Sequence, residues 1–173
     1  MTKTATYSLW LEPSGDIAFR LEERIKKLSD KYGTPIFPPH VTLLGGLKYK
    51  EAELTTLANT LASSLDPFEL ELTKAGYEDN FYRSLYIHVK ATSHLKEIHK
   101  MACQLFEMNY EDDFVPHLSL MYSELPQDQK ERILNVLGRE FHIHFPVKSI
   151  VIMQTDGKPE QWKKVHTSVF KHH

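Results

Sequence analysis

The sequence predicts an α+β fold built as two lobes related by a pseudo-twofold axis. Three observations predict it. Strand-type alternation and helix-type periodicity take turns along the chain, separated by turn-forming residues. The order strand, helix, strand, helix, strand occurs twice. The second strand of each set carries one short pattern, Pro39-His40-Val41-Thr42-Leu43 first and Pro116-His117-Leu118-Ser119-Leu120 later, 77 residues apart (117 − 40). That interval is too long for a solenoid repeat, and identity outside the two motifs is slight. With no Pro/Ser-rich linker or low-complexity tract, one bilobal domain over residues 1–173 is expected.

Each element has its own justification. Ala5 to Glu12 alternates as a strand, with Tyr7, Leu9 and Leu11 on one side and Ser8, Trp10 and Glu12 on the other. Pro13-Ser14-Gly15-Asp16 breaks it and offers capping groups. Ile17, Leu21, Ile25 and Leu28 then recur at helical spacing, and Gly33 is placed to stop that helix. The strand of His40 follows and ends at Gly45-Gly46, read as a plain turn. A second helix covers Glu51 to Leu65 through Leu54, Leu57, Ala58 and Leu61. Phe68 to Leu72 and Leu85 to Val89 alternate strictly and are strands, with Gly76 to Asn80 a turn or loop between them. Thr92-Ser93 can cap a third helix with a core stripe of Leu95, Ile98, Met101 or Ala102, and Leu105. After the strand of His117, Pro126 suits the first turn of a fourth helix running through Ile133, Leu134 and Leu137 to Gly138. Phe141 to Thr155 and Val165 to Phe170 supply the last strands.

Composition narrows the function classes. The chain has 173 residues, 41% of them hydrophobic, which is enough for a proper core. A formal net charge of −2 and a pI near 6.5 argue against a broad basic footprint for duplex nucleic acid, while leaving room for a local pocket for one phosphate. The start, Met1 to Ala5, lacks a signal-type apolar core, and no apolar run is long enough to span a bilayer. The single cysteine, Cys103, excludes an internal disulfide framework and sits in a helical apolar stripe, as packing rather than nucleophile. A cytoplasmic monomer is expected. The terminal His172 and His173 are assigned no function.

The paired motifs carry the chemistry. Residues i and i+2 of a strand share a face, so His40 sides with Thr42 and His117 with Ser119, while Val41, Leu43, Leu118 and Leu120 turn the other way. Side by side, the two strands would bring two imidazoles and two hydroxyls to one cleft. A histidine pair can divide the labour at a phosphate. One, neutral, takes a proton from an attacking water; the other, as imidazolium, protonates the departing sugar oxygen, each worth about 10²–10⁴ in rate. Thr42 and Ser119 can donate to the non-bridging oxygens, where charge must be held. Metal binding fits poorly, since each motif offers one good ligand and no His, Cys or carboxylate grouping adds a third. Neither metal nor cofactor is expected.

The motifs resemble the paired His-x-Thr/Ser signature of the 2H phosphoesterases, and in particular the cyclic phosphodiesterase branch related to plant and yeast enzymes. Tyr7-Ser8-Leu9-Trp10 looks like that branch's first strand, Val115 to Tyr122 like its second motif, and Thr155-Asp156 with Trp162 like its C-terminal stretch. The middle of the chain, Phe68 to Asn109, aligns by pattern alone. The resemblance implies two lobes with antiparallel sheets lining a central groove and helices outside. It implies metal-free opening of 2′,3′-cyclic nucleotides or ADP-ribose 1″,2″-cyclic phosphate. His40 and His117 would be the acid–base pair, and Thr42 and Ser119 the phosphate donors. Tyr122 would be a further phosphate or substrate contact. Trp10, otherwise a core aromatic, would approach the groove. Tyr122 lies one step out of phase with His117 and Ser119, so a bulge or strand end must turn it inward. Phe81 and Tyr82 can stack on a base, with hairpin packing as the commoner role for such a pair. Which histidine is base and which acid follows from the substrate's orientation.

Two other readings stand beside this one. The substrate can be an RNA end, in a 2′-5′ ligase-like or exonuclease-like reaction, against which the acidic balance counts mildly. Or the pocket can bind a nucleotide phosphate without catalysis, although both histidines and both hydroxyls are present.

Overall fold

The computed structural model describes residues 5–110 and 113–171. The start of the chain before Ala5 and the terminal His172-His173 lie outside the described residues. Among the described residues eight strands and four α-helices follow one another. They are β1 (Tyr7–Leu11), α1 (Gly15–Tyr32), β2 (Val41–Leu47), α2 (Glu51–Ser63), β3 (Phe68–Tyr77), β4 (Leu85–Val89), α3 (Ser93–Leu105), β5 (His117–Met121), α4 (Gln127–Leu137), β6 (Glu140–Val147), β7 (Ser149–Gln154) and β8 (Lys163–Val169). Single turns of 3₁₀ helix at Phe81–Arg83 and Pro159–Gln161 precede β4 and β8. Among the described residues no helix is long and apolar enough to cross a membrane.

Local chemistry explains the helix boundaries. Gly33 adopts a left-handed conformation, φ 68°, and its N–H closes on the Ser29 carbonyl at 2.8 Å, ending α1 as the glycine predicts. The Thr92 hydroxyl accepts from the Leu95 N–H at 3.1 Å and starts α3. Pro126 sits just ahead of α4 in an extended conformation rather than inside its first turn. Cys103 is buried in the main core, as expected of a packing residue.

All strands join one antiparallel sheet in the order β6-β3-β4-β5-β2-β1-β7-β8. The expected pair of sheets is therefore continuous, sewn together where β2 meets β5 at Val41 and Leu118. The order is symmetric about that seam. Exchanging β1 with β4, β2 with β5, β7 with β3 and β8 with β6 maps one half onto the other. The helices follow the same exchange across the seam: α1 packs on β5 and α3 on β2. The twofold relation holds, but its halves are not the two successive runs of the sequence. β3 joins β4, β5 and β6, and β7 and β8 return to flank β1, so the lobes are interwoven.

Alternation settles which faces are buried. Leu9 and Leu11 of β1, Leu70 and Leu72 of β3 and Leu85 and Ile87 of β4 enter the main core under the helices. The opposite face of β1 is also covered, where Trp10 packs with Val151 and Met153 of β7 beneath Trp162. Three loop expectations change. Gly45 and Gly46 lie inside β2 rather than in a turn, next to an irregular register with β1. β3 runs on through Gly76 to Tyr77, since Gly76 pairs with Tyr86 across the hairpin. The stretch Phe141 to Thr155 splits at Lys148 into β6 and β7.

Candidate active site

The seam is where the two motifs meet. β2 starts one residue after His40 and β5 starts at His117, so the Val41–Leu118 pairing sets the histidines on neighbouring strands at the middle of the sheet. Both line one cavity of about 440 Å³, together with Thr42, Ser119 and Tyr122. The structure thus brings together all five residues that the motifs nominate.

Each imidazole is locked in the same way. His40 Nδ1 lies 2.8 Å from the Pro38 carbonyl, and His117 Nδ1 lies 3.0 Å from the Val115 carbonyl. A carbonyl can only accept, so Nδ1 carries the proton and Nε2 is left for proton transfer. The residue spanned by each bond is a proline, Pro39 or Pro116, whose fixed φ helps hold the carbonyl of its predecessor back over the ring. This gives the proline in both motifs a physical role.

The two rings differ in their surroundings. His40 is 6% exposed and lies flat on the Trp10 indole, centroids 3.4 Å apart at 6°, with the Phe37 ring edge-on at 6.3 Å. Burial pushes its pKa down to about 3, against the pull of the Pro38 hydrogen bond. His117 is half-buried. Burial lowers its pKa too, the Val115 carbonyl opposes that shift, and the Arg83 charge adds to it.

The hydroxyls are also unequal. Ser119 is buried and donates to the Tyr82 carbonyl at 3.0 Å, so it must release that bond to reach a phosphate. Thr42, half-exposed, lies opposite Trp10 in the β1–β2 pairing. Tyr122 stands one residue past the end of β5, and this strand end turns it into the cavity despite its phase. Its ring stacks on Phe37 at 3.8 Å and 18°, and burial pushes the phenol pKa well up.

Trp10 therefore fills both roles weighed for it, being 1% exposed and part of the cavity wall. Tyr82 lines the cavity as well. Phe81 does not; it faces an adjoining cleft of about 760 Å³ that shares Tyr82 and Tyr122 with the site. Four groups on the wall had no role in the motifs. The Ser8 and Thr155 hydroxyls lie 3.4 Å apart at its edge, and Gly45 and Gly46 open its floor. Ser8 was within reach of strand phase, being two residues from Trp10 on the same face. Trp162 completes an aromatic wall, 5.7 Å from Trp10, 5.9 Å from Tyr122 and 6.4 Å from Tyr82. Asp156 is a fastener: both carboxylate oxygens accept from the Thr6 N–H at 3.1 Å, tying the start of β1 to the end of β7.

Among the described residues no lysine or arginine lines the cavity, so a bound phosphate would meet imidazoles and hydroxyls first. Nor, among those residues, do three His, Cys, Asp or Glu side chains gather as a metal ion would require. Two imidazoles with Nε2 available, flanked by two hydroxyl donors, can pass a proton in on one side of a phosphorus centre and out on the other.

Known proteins resemble this chain in sequence or in fold. The 2′-5′ RNA ligase superfamily profile matches residues 16–159. A cyclic phosphodiesterase of Arabidopsis thaliana is 22% identical over 170 residues, covering 94% of both chains. A putative phosphoesterase of Halalkalibacterium halodurans is 34% identical over 101 residues, covering 52% of this chain and 57% of that one. Among solved structures, TT0787 of Thermus thermophilus superposes with a TM-score of 0.68 at 17% identity, covering 96% of this chain and all of the other. E. coli LigT complexed with 3′-AMP superposes with a TM-score of 0.63 at 13% identity, covering 98% of this chain and all of LigT. By the profile match over most of its length, the chain belongs to the 2′-5′ RNA ligase superfamily, the 2H phosphoesterases.

Proposed function

We propose that the protein hydrolyses the ring of a small nucleotide-like cyclic phosphate, a 2′,3′-cyclic nucleotide or ADP-ribose 1″,2″-cyclic phosphate, by acid–base catalysis between two histidines. One observation carries this reading: His40 and His117, each with Nδ1 tied to a backbone carbonyl, share a cavity with Thr42 and Ser119. Water attacks phosphorus as one imidazole takes its proton. A P–O bond forms, the ring P–O bond breaks, and the other imidazole, as imidazolium, protonates the departing sugar oxygen. Thr42 and Ser119 hold the non-bridging oxygens, and Trp162 and Tyr82 offer ring faces to a base. The similarity to an Arabidopsis cyclic phosphodiesterase supports the substrate class. The reading carries with it a cytoplasmic, monomeric enzyme that works without metal or cofactor.

The adjoining cleft favours a second reading, in which the cyclic phosphate terminates an RNA strand and the preceding nucleotide lies past Tyr82 and Tyr122. Incubation with adenosine 2′,3′-cyclic phosphate in excess EDTA, followed by phosphorus NMR, tests the first reading. One new monoester resonance is expected, and none with either His40→Ala or His117→Ala. An oligonucleotide with the same cyclic end, turned over far faster than the mononucleotide, would favour the second. Tight binding with no product from either substrate or from ADP-ribose cyclic phosphate would overturn catalysis in favour of a binding module.

A further inference from the structure

The pseudo-twofold exchange relates two aromatic residues as well as the two motifs. Trp10 of β1 pairs with Thr42 of β2, and Tyr86 of β4 pairs with Ser119 of β5. Facing residues of antiparallel strands share a side of the sheet. Each motif hydroxyl therefore has an aromatic ring across from it, and each ring rests against its motif histidine. Trp10 lies flat on His40, and Tyr86 meets His117 edge-on, centroids 5.4 Å apart at 65°.

What lies behind the two rings differs. Trp10 packs on Val151, Met153 and Trp162, all apolar or aromatic. Tyr86, 4% exposed, donates its hydroxyl to Glu78 Oε1 at 3.2 Å. Glu78 Oε2 accepts from Arg83 Nε at 2.8 Å and Nη2 at 2.7 Å, and the guanidinium carbon lies 6.0 Å over the Tyr86 ring. The Glu78 carbonyl accepts from Lys130 Nζ at 2.6 Å, a lysine only 1% exposed. Gly76 makes space for this arrangement, because a Cβ there would meet the Tyr86 Oη and Cζ at 3.1 Å. Guanidinium, carboxylate and phenol thus form one chain whose aromatic ring rests on His117, with the Lys130 ammonium holding the Glu78 main chain in place.

We propose that Tyr86, fixed through Glu78 and Arg83, is the positioning residue of His117, as Trp10 is of His40, and that its ionic backing makes the two histidines unequal in proton transfer. The proposal rests on the two-histidine reading of the site. An aromatic ring fixes the imidazole plane without competing for Nε2. The charges behind Tyr86 then act on His117 in opposite senses: Arg83 disfavours its imidazolium, with His88 adding to that effect, and Glu78 favours it. At His40, among the described residues, the charge effect comes from His117 itself.

The test combines pH profiles of kcat/KM for adenosine 2′,3′-cyclic phosphate with NMR titration of the His117 ring in Glu78→Gln, Arg83→Gln, Tyr86→Phe and Tyr86→Leu. Glu78→Gln should move the His117 midpoint and one limb of the profile to lower pH, and Arg83→Gln should move both to higher pH. The other limb stays in place. Tyr86→Leu should lower kcat by about 10- to 100-fold with KM within about 2-fold, the pattern of a misplaced catalytic group, and Tyr86→Phe should lie between. A purely structural role would lower stability and leave the limbs where they are. Unchanged His117 midpoints in Glu78→Gln and Arg83→Gln, or limbs that move together, would overturn the proposal. Wild-type protein that turns over no cyclic phosphate would instead refute the reading of the site, and the ring titration would still decide whether Glu78 and Arg83 act on His117.

Discussion

Burial of His40 should make the folded protein sensitive to acid by a calculable amount. The imidazole titrates near its ordinary 6.5 in an unfolded chain and near 3 in the folded one. Between those values the unfolded chain binds a proton that the folded chain refuses. Stability therefore rises with pH across this window, and it is lost as pH falls below 6.5 toward 3. The whole interval corresponds to about 5 kcal/mol, and a drop to about pH 5 to about 2 kcal/mol. The substitution His40→Gln removes the ring and its titration. Urea unfolding of both proteins at about pH 7.5 and about pH 5 gives the comparison. His88 and His99 also have lowered pKa values, and their contributions cancel in the difference between the two proteins. Wild type should lose about 2 kcal/mol more than His40→Gln. Equal losses would refute the argument, because they would mean that His40 takes up its proton without leaving the indole or admitting water.

Further outcomes follow from the site's asymmetry and its floor. Thr42→Val should lower kcat/KM by about 10²-fold, as the loss of one donor to transition-state charge does. Ser119→Ala should cost about 5-fold less, because Ser119 must first give up its bond to the Tyr82 carbonyl, worth roughly 1 kcal/mol. Steady-state kinetics on adenosine 2′,3′-cyclic phosphate check this, and a reversed ranking would contradict it. Gly46→Ala should destabilise by about 1–2 kcal/mol in urea unfolding, since φ at Gly46 is 66°. Gly45→Ala should leave stability unchanged, because its methyl would meet Ser8 Oγ and Thr42 Cγ2 at ordinary distances of 3.7 and 3.8 Å, but should raise KM by narrowing the cavity.

The grouping of each motif histidine with its hydroxyl was legible because strand phase is a local property. His40 and Thr42, or His117 and Ser119, share a face whatever the strand's neighbours are. The helices were legible for the same reason, down to the Gly33 stop and the Thr92 cap. Strand order is not local. Alternation says that β3 is a strand but not that it abandons α2's half of the molecule for β4, so the interweaving of the lobes had no signal in one sequence. Gly45-Gly46 read as a turn on composition, whereas an irregular register beside β1 accommodates both within a strand. Tyr86 was hidden by its setting. It stands in an evenly alternating strand, and only the pairing partner of Ser119 reveals which histidine its ring supports. Phe81 and Tyr82 are adjacent in sequence and both line the adjoining cleft, yet only Tyr82 also reaches the histidine cavity, and aromatic composition carries no such direction.

The interweaving also bears on how the chain reaches its native state. The half made of β3, β4, β5 and β6 is one unbroken stretch, Phe68 to Val147, whose strands can pair as soon as that stretch is available. The half that carries Trp10 and His40 is split. β1 and β2 must wait for β7 and β8, about a hundred residues or more downstream, before the Trp10 indole has its full cover. During synthesis on a ribosome the later half therefore closes first, and the earlier half is completed only when Ser149 to Val169 emerges. Until then the β1 edge is an unpaired template for other chains, which makes that interval the period of greatest exposure to aggregation.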